Sequence, residues 1–192
     1  MPQERPKSMF IVRPRHFRGM NSKVRQEIIG AIRIIEPCSV REIADRIHRK
    51  PETVYYHIDI LIEAAMIHEV AKRPAGKRDE ALYEATCDRF RFHPTCRTPA
   101  FLRDMRRTYS TMIRTTEQQI LESVGADGEK RQGRGKNMRV QFYAASLTRK
   151  DLDELNRRLD AVREFLLERR TADAGTPHQV MLLMSPLDGR GA

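Results

Sequence analysis

Apolar residues recur at helical spacing in the first third of the chain and predict three short helices. The first begins after Asn21 or Ser22 and is ended by Pro37. Ser39 and Glu42 form a capping box that starts the second, and Pro51 suits the first turn of the third. The predicted core positions are Val24, Ile28, Ile29, Ile32 and Ile35, then Val40, Ile43, Ala44 and Ile47, then Val54, Ile58, Leu61 and Ile62.

Two β-prone runs follow the third helix, at 67–71 and 81–85. The segment 72–79 between them is basic and contains Pro74 and Gly76, which predicts a hairpin with a basic tip. Three helices followed by a hairpin is the order of a winged helix. The short second helix and the short linker after it have helix-turn-helix spacing.

The rest of the chain predicts a helix, a strand, a helix and a strand. Thr98 and Pro99 open a helix that reaches Val124, and the glycine-rich, charged segment 125–136 predicts a mobile loop. Residues 138–144 alternate as a half-buried strand does, and 180–184 form an apolar run typical of a buried strand. Between these strands, Thr148 and Asp151 cap a helix with the stripe Leu152, Leu155, Leu159, Val162 and Leu166.

The predicted fold class is therefore α+β and mostly helical. We divide the chain into a basic N-terminal arm (1–21), a winged helix-turn-helix (22–86) and a dimerisation module with a possible effector site (87–192). The arm contains one apolar cluster, 9–12, which we expect to dock either on the body of the same chain or on a second copy.

Charge narrows the choice of partner. The 192 residues include 36 Lys and Arg against 26 Asp and Glu, a net charge of +10. Residues 141–192 have 8 basic and 8 acidic side chains, so the whole surplus lies before residue 141. Such a surplus favours an anionic partner, most commonly nucleic acid. No apolar run has the length of a membrane span or of a signal sequence, and the odd count of three cysteines is typical of a reducing cytoplasm, where we expect the protein to act.

The third helix presents an acidic and aromatic face. With Val54 directed to the core and about 100° per residue, Glu52, Tyr56, Asp59 and Glu63 point outward. An acidic face is unfavourable beside phosphate, so contacts to the DNA backbone must come from the wing, the arm and the turn before the helix. The predicted DNA-binding residues are Ser39, Arg41, Arg49, Lys50, Glu52, Thr53, Tyr55, Tyr56, His57, Lys72, Arg73, Lys77 and Arg78.

Metal and catalytic chemistry receive less support. Cys87, His93 and Cys96 are weak candidates for zinc ligands, because their spacing matches no standard structural site and a fourth ligand would be needed. The sequence contains no nucleophile elbow, no glycine-rich phosphate loop and no H-E-x-x-H motif. We therefore predict neither an enzyme nor a cofactor.

Residues 22–85 resemble the winged helix-turn-helix of ArsR-type bacterial transcriptional regulators. The stretch 39–47 resembles the helix before the turn and 51–64 the recognition helix, with the Tyr56-His57 pair and the ending 61–64 as the most specific parts. The resemblance implies sequence-specific binding of double-stranded DNA as a homodimer. It does not extend to metal sensing, because 42–47 lacks the paired cysteines of the metal-sensing members.

The prediction is a cytoplasmic, homodimeric DNA-binding transcriptional regulator, with no membrane partner. Two alternatives stay open: a winged-helix module that binds another protein, and a metal-responsive regulator. The sequence also leaves open whether a small-molecule effector exists.

Overall fold

A computed structural model describes residues 5–76, 78–170 and 175–187 of the chain. The helices are α1 (Pro14–Met20), α2 (Lys23–Ile35), α3 (Val40–Arg46), α4 (Pro51–Glu63), α5 (Pro99–Ser123) and α6 (Arg149–Glu168). The strands are β1 (Met9–Ile11), β2 (Cys38–Ser39), β3 (Ile67–Ala75), β4 (Arg78–Ala85) and β5 (Phe90–Phe92).

Helices α2, α3 and α4 pack around one aliphatic core, whose most enclosed members are Ile28, Ile32, Ile43, Val54, Ile58 and Leu61. The predicted capping box starts α3: the backbone N–H of Ser39 donates to the Glu42 carboxylate over 2.8 Å, and the N–H of Glu42 donates to the Ser39 hydroxyl. Strands β2, β4 and β3 form an antiparallel sheet in that order, which covers the helices. We call the β3–β4 hairpin the wing.

The apolar cluster near the N-terminus docks on the same chain. Residues 9–11 form β1, which pairs in parallel with β5. Helix α1 follows, and Ile11 and Phe17 are 1% and 2% exposed. This N-terminal segment is therefore part of the core of the helical unit.

Helix α5 joins the same core through aromatic contacts. The ring of Phe101 meets the ring of Phe17 edge-on at 5.4 Å, and Tyr109 meets Phe92 at 4.9 Å. The buried hydroxyl of Thr108 donates to the side-chain oxygen of Asn21. We call residues 9–109 the N-terminal body.

Helix α6 begins at the predicted capping box, where the N–H of Asp151 donates to the hydroxyl of Thr148. None of its side chains is buried. Its apolar stripe is half-buried at Leu152, Leu155 and Leu159 and exposed at Val162 and Leu166.

The prediction of two strands in the second half of the chain is wrong for the single chain. Neither 138–144 nor 180–184 forms a strand in the described residues, and Phe142 and Leu183 are 88% and 66% exposed. The physical reason is the missing ladder: alternation or an apolar run makes a segment suitable for a sheet, but a strand also needs a hydrogen-bonded neighbour. Neither segment has such a neighbour among the described residues.

No helix within the described ranges is both long enough and apolar enough to cross a membrane.

Candidate nucleic-acid interface

Helix α4 begins at a proline and is followed by a residue in the left-handed conformation. Pro51 occupies its first turn, as the sequence predicts, and Val54, Ile58 and Leu61 anchor it in the core. Two positions differ from the predicted stripe. Ile62, a predicted core position, is 42% exposed, and Ile60, which the stripe did not include, is buried. The chain leaves the helix through Ala65, whose φ of 54° lies in the left-handed region that usually takes glycine.

The face of α4 opposite the core carries two large aromatic side chains. Tyr55 and Tyr56 are 57% and 63% exposed, far more than an aromatic ring that belongs to a core. Glu52, Thr53 and Asp59 are exposed beside them. The face thus combines carboxylates, a hydroxyl and phenols, groups that can accept from or donate to base edges and can pack on a thymine methyl.

His57 lies at the edge of this face and is fixed by a residue that sequence reasoning missed. Its Nδ1 is 3.4 Å from a guanidinium nitrogen of Arg25, a buried side chain on α2. Arg25 also donates to the carbonyls of Arg18 and Gly19 over 2.6 and 3.2 Å. Burial, followed by Arg25 and Arg49, lowers the pKa of His57, so its ring is neutral at pH 7 and can accept from Arg25. A signal for this contact was present in the sequence, since Arg25 lies three and four residues before Ile28 and Ile29 and therefore on the same side of α2.

The predicted DNA-binding residues at the start of α3 and in the turn after it differ in their exposure and contacts. Ser39 is 1% exposed and its hydroxyl caps α3, so it does not face solvent. Arg49 donates to Glu27 of α2 over 2.9 and 3.2 Å, which ties the turn to the helix beneath it. Arg41 and Lys50 are exposed. Of these four predicted residues, the two exposed cations are open to an external anion.

The wing is longer and its tip is shorter than the sequence predicts. Lys72 and Arg73 lie inside β3, because the strand continues to Ala75 and turns at Gly76, whose φ is 68°. Lys77 lies outside the described residues. Lys72 and Arg78 are exposed on the two strands next to this turn.

Arg73 serves as a brace between the wing and α3. It donates through two nitrogens to Glu80, its cross-strand neighbour, over 2.9 and 2.5 Å, and it lies 3.1 Å from Glu42 of α3. These hydrogen bonds raise the pKa of Arg73. Desolvation acts to raise the pKa of Glu42, but the hydrogen bonds from Ser39 and Arg73 outweigh it and lower that pKa. Sequence reasoning predicted Arg73 as a phosphate contact, whereas its guanidinium already has two carboxylate partners.

The weak zinc candidates are not assembled into a ligand set. Cys87 is buried, its thiol donates to the carbonyl of Arg89 over 3.1 Å, and burial raises its pKa. His93 instead bonds to Thr95, and its ring lies 5.3 Å from the ring of Phe10 at a tilt of 57°. Within the described residues, no three His, Cys, Asp or Glu side chains form a group that could hold a metal ion.

The exposed groups therefore lie on α4, at the turn before it and along the wing, around the helix-turn-helix. Comparison with known proteins agrees with this part of the geometry. No curated protein matches the chain. Residues 20–70, which extend from the end of α1 into β3, match the family model of a helix-turn-helix domain, so the chain carries a domain of the kind that suggests a DNA-binding regulator.

Proposed function

We propose that the protein is a sequence-specific, double-stranded DNA-binding transcriptional regulator that acts as a homodimer. The observation that carries the proposal is the solvent-exposed pair Tyr55 and Tyr56 on α4, inside the segment that matches a helix-turn-helix domain. In such domains the second helix enters the major groove and its first residues contact base edges. Tyr55 and Tyr56 lie in the first two turns of α4, where those contacts are made.

The proposal divides the predicted residues by role. Glu52, Thr53, Tyr55 and Tyr56 contact bases, because Glu52 and Tyr56 lie on the outward face of α4 and Thr53 and Tyr55 are exposed on its flanks. Arg41, Lys50, Lys72 and Arg78 contact phosphates, because they are exposed cations at the edges of that face. Lys77 belongs to the second group by its position in the sequence. Ser39, Arg49 and Arg73 act indirectly: they hold α3, the turn and the wing in place.

We place the dimer contact beyond residue 98. Four apolar surfaces there are wholly or partly uncovered in the described part of the chain: the outer side of α5, the stripe of α6, the run 138–144 and the run 180–184. The most exposed large side chains are Leu121, Val140, Phe142, Tyr143, Leu183 and Leu187. Apolar surface of this extent is typical of an interaction site. A second copy is the occupant we propose, because two half-sites multiply the few base pairs that one helix-turn-helix reads.

The ArsR-type resemblance gives the proposal its family. The order of three helices and a wing, the α3 capping box and the Tyr56-His57 pair are the features on which it rests. Helix α3 contains no cysteine, so we do not extend the proposal to metal sensing at that helix.

The decisive experiment is selection of bound duplexes from a random pool, followed by salt titration of the selected sequence and of a random duplex. We expect one enriched motif with two similar halves, and an affinity that falls with salt by about 0.9 log unit per log unit for each phosphate contact. A pool that yields no enriched motif, together with a salt slope near zero, would show that the protein is not a DNA reader.

The dimer is tested separately by light scattering at micromolar concentration. We expect two chains per particle for the wild type and one for the double variant Leu159→Glu, Val162→Glu, which places charge on the α6 stripe. Asn156→Glu, on the exposed side of the same helix, is the matched control and should remain dimeric. A wild-type monomer contradicts the dimer and leaves DNA binding standing.

One observation favours a second function, a module that binds another protein. The exposed side chains of α4 include Glu52, Asp59 and Glu63, and the last is paired with Arg18 over 3.0 Å. An acidic helix face is better suited to a basic protein surface than to phosphate. The salt titration separates the two functions, because this alternative predicts weak DNA binding without sequence preference.

A further inference from the structure

A pocket lies between the N-terminal body and α6, and none of its lining residues is among the proposed DNA-binding residues. Its volume is about 550 Å³, and its lining consists of Arg33, Arg89, Phe90, Arg91, Asp160 and Arg163. Four guanidinium groups therefore share the pocket with one carboxylate. Asp160 pairs with Arg163, which also donates to Glu164 over 2.7 Å. In the described ranges, Arg33, Arg89 and Arg91 have no carboxylate within 4.0 Å.

The burial of Arg33 makes the surplus of positive charge in the pocket unfavourable. Its Nε and Nη2 are buried and have no hydrogen-bond partner among the described residues, although Phe90 lies under its guanidinium at 4.7 Å. A buried cation without a partner is unfavourable, because water no longer solvates it. Burial accordingly lowers the pKa of Arg33.

The nearest possible counter-charges are already engaged. Glu36, one turn after Arg33, accepts from Arg5 over 2.5 Å and lies 3.0 Å from Arg170. Asp88 is 3.3 Å from the same Arg170. Burial raises the pKa of the nearby Cys87, so its thiol is neutral at pH 7 and supplies no negative charge. The compensating anion for Arg33 must come from outside these groups.

The pocket is also separate from the DNA-facing surface. Arg33 and Glu27 lie on α2 six residues apart, which places them about 120° apart around the helix. Glu27 holds Arg49 at the start of α4, whereas Arg33 faces β5. An anion in the pocket would touch α2 and β5 on one side and α6 on the other.

We propose that this pocket binds a small molecule with more than one oxyanion charge, carried by phosphate or carboxylate groups. The planar guanidinium forks of Arg89 and Arg91 suit bidentate contacts to such groups, and Arg33 and Arg163 add positive charge beside them. A pocket of this volume has the size of a small-molecule site. The ligand bridges the helix-turn-helix unit to α6, the helix in which we place the dimer contact.

The test is calorimetric titration of the full chain, without DNA, with inorganic pyrophosphate and with citrate at matched ionic strength. We expect saturable binding of one ligand per chain for at least one of the two. Pyrophosphate alone identifies a phosphate ligand, citrate alone a carboxylate ligand, and both identify a general oxyanion site. Absence of saturable binding for both overturns the proposal.

Variants locate the site. Arg91→Gln and Arg163→Gln should each weaken binding about tenfold, the effect of one lost charge-assisted hydrogen bond. Arg157→Gln is the matched control: Arg157 is also on α6 and paired with Glu154, outside the pocket, and its loss should leave the dissociation constant unchanged. An equal loss in all three variants shows unspecific charge attraction and overturns the site.

Arg33→Met separates ligand binding from a structural role. Since it removes a buried charge that has no partner, we expect the unliganded protein to be at least as stable as the wild type, while binding is lost. A variant that is destabilised yet still binds the probe contradicts the proposal. Arg163→Gln is also titrated with duplex DNA: a lower salt slope with unchanged probe binding would make the pocket a phosphate contact for DNA. Because the probe titrations contain no DNA, their failure leaves the proposed regulator function untouched.

Discussion

Both α4 and α6 carry an apolar stripe at helical spacing, but only α4 buries its stripe inside the chain. Val54, Ile58 and Leu61 of α4 are at most 1% exposed, whereas α6 has no buried residue. The other face also differs, since α4 exposes Tyr55 and Tyr56 and α6 exposes alternating charges. The difference teaches that a similar sequence pattern has two physical outcomes, depending on whether the chain itself supplies the opposing surface.

The largest effect should come from matched truncations in the two regions. Phe17→Ala removes a ring that packs on Phe92 and Phe101 in the N-terminal body, and we expect a loss of about 3–5 kcal/mol in the free energy of unfolding. Phe165→Ala removes a ring of α6 that is 54% exposed. In the monomeric background of Leu159→Glu, Val162→Glu, its cost should stay within about 0.5 kcal/mol.

Urea unfolding followed by circular dichroism measures both. Similar losses for the two variants would mean that α6 packs against the body as firmly as α1 does, and the contrast between the regions would disappear.

Two glycines test the packing of the N-terminal body, because the addition of one methyl group should have opposite effects at the two positions. A Cβ on Gly19 would lie 2.7 Å from the sulfur of Met66 and 2.9 Å from the Cβ of Ala64, so α1 can approach the end of α4 only without a side chain there. We expect Gly19→Ala to destabilise the protein by about 1–3 kcal/mol.

Gly30 is its control on α2, because a Cβ there meets nothing within 4 Å. Gly30→Ala should stabilise the protein by about 0.5–1 kcal/mol, through the higher helix propensity of alanine. Melting temperatures that shift in the same direction for both variants would contradict the close packing of α1.

The exposed faces of α4 and α6 should respond separately to mutation. Tyr56→Ala should change the preferred DNA sequence, by about 1–3 kcal/mol per base pair read, and leave the salt slope and the dimer intact.

Lys72→Ala with Arg78→Ala should weaken binding to all sequences alike and lower the salt slope by up to about two units. Glu52→Ala should tighten binding to random DNA, because it removes a negative charge beside phosphate.

Affinities for the selected and a random duplex at two salt concentrations decide this prediction. If the wing variant loses sequence preference while Tyr56→Ala loses only general affinity, the wing is the reader and the assignment of α4 is inverted.

Sequence reasoning succeeded where the information is local. The α3 capping box, the proline at the start of α4 and the outward position of Tyr56 depend on residues within a few positions of one another. It failed at 138–144 and 180–184, because a strand depends on a partner that local periodicity does not specify. It also did not predict that Arg73 pairs with Glu80 and Arg49 with Glu27, since these ion pairs arise from tertiary contacts.

The smallest effect concerns pH and belongs only to the N-terminal body. Nδ1 of His16 accepts from the backbone N–H groups of Val12 and Arg13 over 3.3 and 3.4 Å, so this ring must be neutral to cap α1. Burial, with Arg15 and Arg13, lowers the pKa of His16, and burial, with Arg25, lowers that of His57. For a histidine whose folded pKa lies below the unfolded value of about 6.5, the unfolded chain takes up the proton first.

Stability should therefore be constant above about pH 6.5 and fall as the pH drops below it, toward the folded pKa values. His16→Gln should make that fall shallower, because a glutamine at the third helical position can accept from the cap without titrating. His57→Gln should further reduce the loss of stability between pH 7.5 and pH 5.5. Urea unfolding at pH 7.5 and 5.5 measures the difference; a fall in His16→Gln as steep as in the wild type would show that the ring of His16 is not the group whose protonation opposes folding.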